Sequence, residues 1–172
     1  MTNNVAHRRW WQIFEVVFGL PFLIGLALHL AVPLSFPQGL PIAIRLAAGV
    51  VLMSIGLALV IAARRIFARY KQPTDPGQPS SMLIETGVFA ISRNPLYLGG
   101  LCTLLGLALA FNRAWAMILL LPALIICHYV LILPEEHYLT VTFGAAYQRY
   151  MSRVPRWIGI VRGLAEPHQP KI

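Results

Sequence analysis

The chain has 172 residues, of which 58% are hydrophobic and only 12% charged, with a formal net charge of +8. That length suits one domain, and that apolarity excludes an ordinary soluble globule. The 14 Lys and Arg residues fall between apolar runs rather than along one face, which points away from nucleic acid and towards a lipid bilayer as the partner.

Near the start, Arg8-Arg9-Trp10-Trp11 precedes an apolar run. A twin-arginine export signal is one reading, but a soluble mature domain would have to follow it. Further apolar runs follow instead, so the motif reads as a cytoplasmic anchor with interfacial tryptophans. A bilayer span needs about 20 residues, within a range of about 17–25. Residues 16–36, 41–63 and 114–133 fit that length, and residues 96–111 form a shorter run joined to the last by Asn112-Arg113, which predicts a tight helical hairpin. Gly99, Gly100, Cys102, Thr103 and Gly106 are small residues that let helix backbones approach within a bundle. Residues 72–81 are a Pro/Gly/Ser-rich loop.

Past residue 133 the pattern changes. Leu139, Phe143, Ala146, Tyr147, Tyr150 and Val154 recur at three- and four-residue steps and predict an amphipathic helix over 135–153, lying against the bundle. Placing both termini and residues 64–93 on one side collects twelve of the basic residues there and leaves only Arg45 and Arg113 for the other. Both termini are therefore expected on the cytoplasmic side of an inner-membrane-type protein.

Two polar clusters stand at the edges of these spans. In Arg93-Asn94-Pro95, proline suits the first position of a helix and asparagine suits its N-cap. Arg93 is then either a positive-inside anchor or a ligand group. Glu135-Glu136 follow Pro134. If Pro134 opens a helix, two carboxylates in the first turn complement its dipole by roughly 0.3–1 kcal/mol each. The alternative is a binding site for hydroxyls or positive charge, favoured because the chain has only six acidic residues. Arg149 and Arg153 share a face of the last helix and suit either lipid headgroups or a site. His29 and His128 are isolated in apolar runs, and Cys102 and Cys127 have neither disulfide nor metal spacing, so no metal site is expected.

Taken together, the stretch Gly87-Val-Phe89-Ala-Ile-Ser-Arg93-Asn94-Pro95-Leu96-Tyr97-Leu98-Gly99, then Glu135-Glu136-His-Tyr-Leu139-Thr-Val-Thr-Phe143-Gly144-Ala-Ala-Tyr147-Gln-Arg-Tyr150, then Val154-Pro155-Arg156 resembles the integral-membrane methyltransferases of the isoprenylcysteine carboxyl methyltransferase and phospholipid N-methyltransferase group. Their pattern runs Gly-x-Tyr-x-x-x-Arg-His-Pro-x-Tyr-x-Gly, a hairpin, then Glu-Glu and Phe-Gly-x-x-Tyr-x-x-Tyr. The resemblance covers roughly the C-terminal half.

It implies S-adenosylmethionine as methyl donor, bound under the C-terminal helix. Val88, Phe89, Arg93, Asn94, Pro95, Leu96, Tyr97, Leu98, Glu136 and Tyr147 would line the cofactor, while Glu135 and Arg153 would face the reacting end. Asn94 replaces the family histidine, which removes an ionisable imidazole but keeps a hydrogen-bonding group. No arginine stands shortly before Glu135, which argues against a prenylated-cysteine carboxylate as substrate.

The expectation is an all-α, four-span membrane bundle forming one domain: spans in 1–71, a linker in 72–86, a methyltransferase core in 87–157 and a tail in 158–172. It would methylate a lipophilic acceptor bearing an amine, thiol, hydroxyl or carboxylate. The alternatives are an NADPH-dependent membrane reductase of the steroid or sterol type, with Arg64, Arg65 and Arg69 for the cofactor phosphates, and a membrane scaffold without activity. The oligomeric state does not follow from the residues.

Overall fold

A computed structural model describes residues 13–37, 41–73 and 80–159. The motif at residues 8–11, the centre of the linker and nearly all of the tail lie outside the described residues. Among the described residues every regular element is helical. A π-helical turn, Glu15–Gly19, leads into α1 (Leu20–Ala31), followed by α2 (Ile42–Arg69), a 3-10 turn (Gly87–Ala90) and α3 (Pro95–Ala110). The chain then forms α4 (Ala114–Cys127), a second π turn (His128–Ile132), α5 (Leu133–Phe143) and α6 (Ala145–Arg153).

Two continuous helices are long and apolar enough to cross a bilayer: Ile42–Arg69, and Ala114–Phe143 running through α4, the π turn and α5. The apolar helices Glu15–Ala31 and Pro95–Ala110 are shorter. Many large apolar side chains point outward, among them Leu23, Leu30, Ile44, Val51, Ile55, Leu121 and Ile125. In water such a surface would aggregate; in lipid it is the solvated one.

The bundle is organised in pairs. α2 lies along α3, and α1 lies along α4. On α2, Gly49 and Gly56 are buried and seven residues apart, so they share one face. Opposite them on α3 stand Gly99, Thr103, Gly106 and Ala110. A methyl group built on Gly56 would come within 2.5 Å of Gly99 O and Thr103 Oγ1, and one on Gly106 within 2.6 Å of Gly49 O. The small residues of the third run therefore serve contact with α2. The predicted α3–α4 hairpin is present as a connection, but the tightest packing of α3 is against α2. Its turn is well made: Asn112 takes φ +59, its N–H reaches Leu109 O at 3.2 Å and Arg113 N–H reaches Ala108 O at 2.7 Å. This is a Schellman ending with asparagine in the left-handed position.

Three local expectations are corrected. The 135–153 helix is two helices, because Gly144 takes φ +53, ψ −126, a backbone state closed to side-chain-bearing residues. Pro134 does not open a helix, since Ile132 and Leu133 before it are already helical. The π turn accommodates the proline by letting Leu133 N–H bond to His128 O five residues back. Asn94 sits at the N-cap position of α3 but makes no side-chain cap; its amide points elsewhere, as described next.

Candidate active site

The site is built at the end of the bundle where α3 begins and the long α4–α5 helix emerges. Glu135 and Glu136 stand in the middle of that continuous helix, where backbone N–H groups are already bonded. The dipole account of these two carboxylates therefore lapses, and each needs side-chain partners.

Glu136 has two. Arg156 grips it from one side, Nε donating to Oε1 at 2.8 Å and Nη2 to Oε2 at 2.7 Å. Arg93 approaches from the other, Nη1 lying 2.8 Å from Oε1. Only 10% of the Arg93 side chain and 12% of the Glu136 side chain are exposed, so that pair is largely withdrawn from water and its attraction is weakly screened, while Arg156 closes the cluster from a rim about a third exposed. The Arg93 contact is an ion pair off the hydrogen-bonding direction, and its Nε and Nη1 have no hydrogen-bond partner among the described residues. Buried donors without acceptors are costly. Nη1 still faces Glu136, so Nε–H is the donor left for a ligand oxygen.

The fork of Arg156 keeps its place because the backbone around it is anchored. Arg93 N–H donates to Pro155 O at 3.0 Å, Asn94 Nδ2 to Arg156 O at 2.9 Å, and the Ser92 hydroxyl to the same oxygen at 3.3 Å. Ser92 Oγ also accepts from Asn94 N–H at 3.1 Å. The Val154-Pro155-Arg156 turn is thus stitched onto the 92–94 loop, and this is what the Asn94 amide does in place of capping. The hydrogen bond with Glu136 raises the Arg156 guanidinium further above its ordinary value.

α6 covers the same region. Tyr147, Tyr150 and Val154 are buried together beside Leu83, Leu139 and Phe143. The Tyr150 hydroxyl donates to Phe89 O at 2.6 Å, and burial pushes that hydroxyl well up from its usual value. Burial, aided by Glu136 and opposed by Arg93, holds the Tyr147 hydroxyl up to about 12. Both phenols are neutral in the physiological range. Further out, Arg153 pairs with Glu85, the two side chains about a third exposed.

Glu135 faces the bundle. It accepts a hydrogen bond from the Tyr97 hydroxyl at 3.1 Å, and Tyr97 itself packs against the apolar core of Phe18, Leu120, Cys127 and Leu131. Phe89, Asn94, Pro95 and Leu98 are buried, while Val88 and Leu96 are half-buried, with Phe89, Val88 and Leu96 in one cluster against Ala63 and Ile84.

The geometry brings Arg93, Glu136 and Tyr147 into one cluster and sets Tyr97 with Glu135 beside it. Arg153 is drawn instead into its pair with Glu85. Sequence reasoning did not give Arg156, Ser92 or Glu85 a role. The Val-Pro-Arg turn was the signal for Arg156, since a proline before an arginine so near the end of the patterned region fixes a backbone bend that must be held by something.

No curated protein and no solved structure matches the chain. A family model, phospholipid methyltransferase, matches residues 44–146, from the first turn of α2 to the start of α6. That is more than half of the chain and includes Arg93, Tyr97, Glu135 and Glu136. The chain belongs to the phospholipid methyltransferase family.

Proposed function

We propose that this membrane protein transfers a methyl group from S-adenosylmethionine to a lipophilic acceptor held in the bilayer. The observation that carries the reading is the Arg93–Glu136–Arg156 cluster, its Arg93 and Glu136 largely buried and two Arg93 donors unsatisfied, placed beside the Tyr97–Glu135 pair at the polar end of an apolar bundle. Family membership supplies methyl transfer on a membrane lipid-related substrate as the coarse activity.

Arg93 and Arg156 exceed Glu136 by one positive charge. We assign the unpartnered Nε–H of Arg93 to the donor's carboxylate. A carboxylate offers about four lone-pair positions; Arg156 hydrogen-bonds once to each oxygen, and Arg93 adds only an ion contact at Oε1. Oε2 therefore keeps room for a ribose hydroxyl. Val88, Phe89, Leu96 and Leu98 supply apolar walls, and neutral Tyr147 closes the pocket from α6. Asn94 acts indirectly by fixing the Arg156 turn.

When bound, S-adenosylmethionine supplies an electrophilic methyl on a sulfonium whose thioether departs, so no further reactant is needed. The protein's part is then to hold donor and acceptor in line and to exclude water. Where the acceptor head carries a proton that must leave, Glu135 is the carboxylate placed to take it, and Tyr97 holds that carboxylate in position. Arg153 acts from the rim as a positioning residue, tying α6 to residue 85. The basic residues Arg64, Arg65, Arg69 and Lys71 at the same end of α2 support a cytosolic orientation for the site, where the polar donor is dissolved.

The test is labelled-methyl transfer from S-adenosylmethionine into the organic-extractable lipid of vesicles containing the full chain. Label in a lipid is expected from the wild type. In Glu135→Gln, turnover is expected to fall about 10²-fold or more, the range for loss of a positioned acid or base. A folded wild-type protein that labels no lipid would overturn the reading.

A further inference from the structure

The end of the bundle opposite the site carries a second feature that methyl transfer does not use. A cavity of about 350 Å³ opens there, lined by Phe22, Leu26 and Leu30 of α1, Leu107 and Phe111 at the end of α3, and Arg113. It exists because α1 pairs with α4 and α3 pairs with α2, which leaves α1 and α3 separated where no third helix among the described residues fills the gap. The cavity's end is well defined: Trp115 Nε1–H donates to Val32 O at 2.8 Å, and Phe36 N–H donates to Asn112 Oδ1 at 2.9 Å. These bonds fasten the chain leaving α1 to the turn that carries Arg113.

Charge decides what the cavity takes. Residues 28–48 and 107–125 hold Arg45 and Arg113 and no Asp or Glu at all. Among the described residues Arg113 has no carboxylate partner, since Glu136 binds Arg93 and Arg156 and Glu85 binds Arg153. Depth agrees. α3 has 16 residues, roughly 24 Å at about 1.5 Å each, against a hydrocarbon thickness of about 30 Å. The helix thus ends a few ångströms short of the headgroups, a distance that the chain to Arg113 and its long side chain can cover by snorkelling, which brings the guanidinium within reach of a phosphate.

We propose that this cavity is a binding site for a phospholipid of net negative charge, one acyl chain lying against Phe22, Leu26 and Leu107 and the phosphate on Arg113. The bound lipid fills the gap between α1 and α3 and neutralises a cation that no carboxylate among the described residues pairs. The site lies a full span from the Arg93–Glu136 cluster, so it is independent of the methyl-transfer reading and its lipid is not the methyl acceptor.

The test is native mass spectrometry of the detergent-purified full chain, titrated with phosphatidylglycerol and with phosphatidylcholine of identical acyl chains. The wild type is expected to hold the anionic lipid about tenfold more tightly, because both lipids offer a phosphate but only phosphatidylcholine sets a quaternary ammonium beside it, cancelling the net charge that Arg113 attracts. Arg113→Gln is expected to bring the two lipids within about twofold of each other by removing the cation that distinguishes their net charges. Leu26→Phe, which narrows the cavity without altering charge, is expected to weaken both lipids alike. The triple variant Arg64→Gln, Arg65→Gln, Arg69→Gln is expected to keep the wild-type preference. Equal binding by the wild type overturns the proposal. So does a preference that survives Arg113→Gln, one that vanishes in the triple variant, or Leu26→Phe binding both lipids as the wild type does.

Discussion

Along the α2–α3 seam the backbone itself is the contact surface, with Gly49 and Gly56 against Gly99, Thr103 and Gly106 and no charged group between them. At the mouth of the bundle the contact surface is charge, with Glu136 gripped by two arginines and the backbone of residues 92–94 stitched to that of residues 155 and 156. The seam gains from dispersion and close approach, because lipid provides no hydrophobic force between helices. The mouth gains from hydrogen bonds in a site with little water, where each is stronger and each missing partner costs more. The seam should therefore fail gradually with bulk, and the mouth abruptly with the loss of one group.

The largest expected effect follows from that contrast. Glu136→Ala removes the shared partner of Arg93 and Arg156. Leaving the largely buried Arg93 unpaired is expected to cost about 3 kcal/mol, the lower end for a broken buried pair, with little added by Arg156, whose side chain is about a third exposed, and the ligand site goes with it. Thermal unfolding in detergent, read beside ligand binding, checks both losses. Glu136→Gln keeps the shape without the charge and should fall between that variant and the wild type.

Next comes the seam. Gly56→Leu forces a Cβ to within 2.5 Å of Gly99 O and Thr103 Oγ1, backbone and side chain together, so the helices must separate. Overpacking of this kind costs typically about 1–3 kcal/mol, and the yield of monodisperse protein should fall. Gly144→Ala tests the other glycine need, since nothing crowds Gly144 and only its φ of +53 resists substitution. Its unfolding temperature should drop with little change in yield.

How far these two regions could be read beforehand differs for physical reasons. The seam was legible: Gly99, Thr103 and Gly106 are small residues at helical spacing in an apolar run, and spacing is local information. Which helix they meet was not, because a short Asn112-Arg113 connection suggests α4 while the glycines of α2, seven apart, select α2. At the mouth, residue types were legible and partners were not. Arg93 and Glu136 are 43 positions apart, and although the Val154-Pro155-Arg156 turn marks a bend that must be held, nothing local says that its arginine meets Glu136. The break at Gly144 was hidden because apolar periodicity continues across it on both sides.

Smaller effects sharpen the picture of α6 as cover. Tyr150→Phe leaves Phe89 O without its 2.6 Å partner and is expected to cost about 1–3 kcal/mol if the oxygen stays dry. Tyr147 gives a pH signature. Its folded-state value, pushed up to about 12 from 10.0, lies above its unfolded value, so its contribution is fully present below pH 10 and is lost as pH rises towards 12. Unfolding temperature should decline over that window, and Tyr147→Phe should flatten the decline. Least of all, Arg153→Ala breaks a pair about a third exposed, worth about 0.2–1 kcal/mol. High salt should blunt even that difference.

The measurement that bears most directly on the polar mouth as a methyl-donor site is calorimetric titration of the detergent-purified full chain with S-adenosylhomocysteine, the wild type beside Glu136→Gln. Micromolar binding by the wild type, lost or weakened at least tenfold in a variant that still unfolds cooperatively, is the expected result. A folded wild-type protein that binds no S-adenosylhomocysteine, or a Glu136→Gln variant that binds it as tightly as the wild type, would contradict the assignment of that cluster.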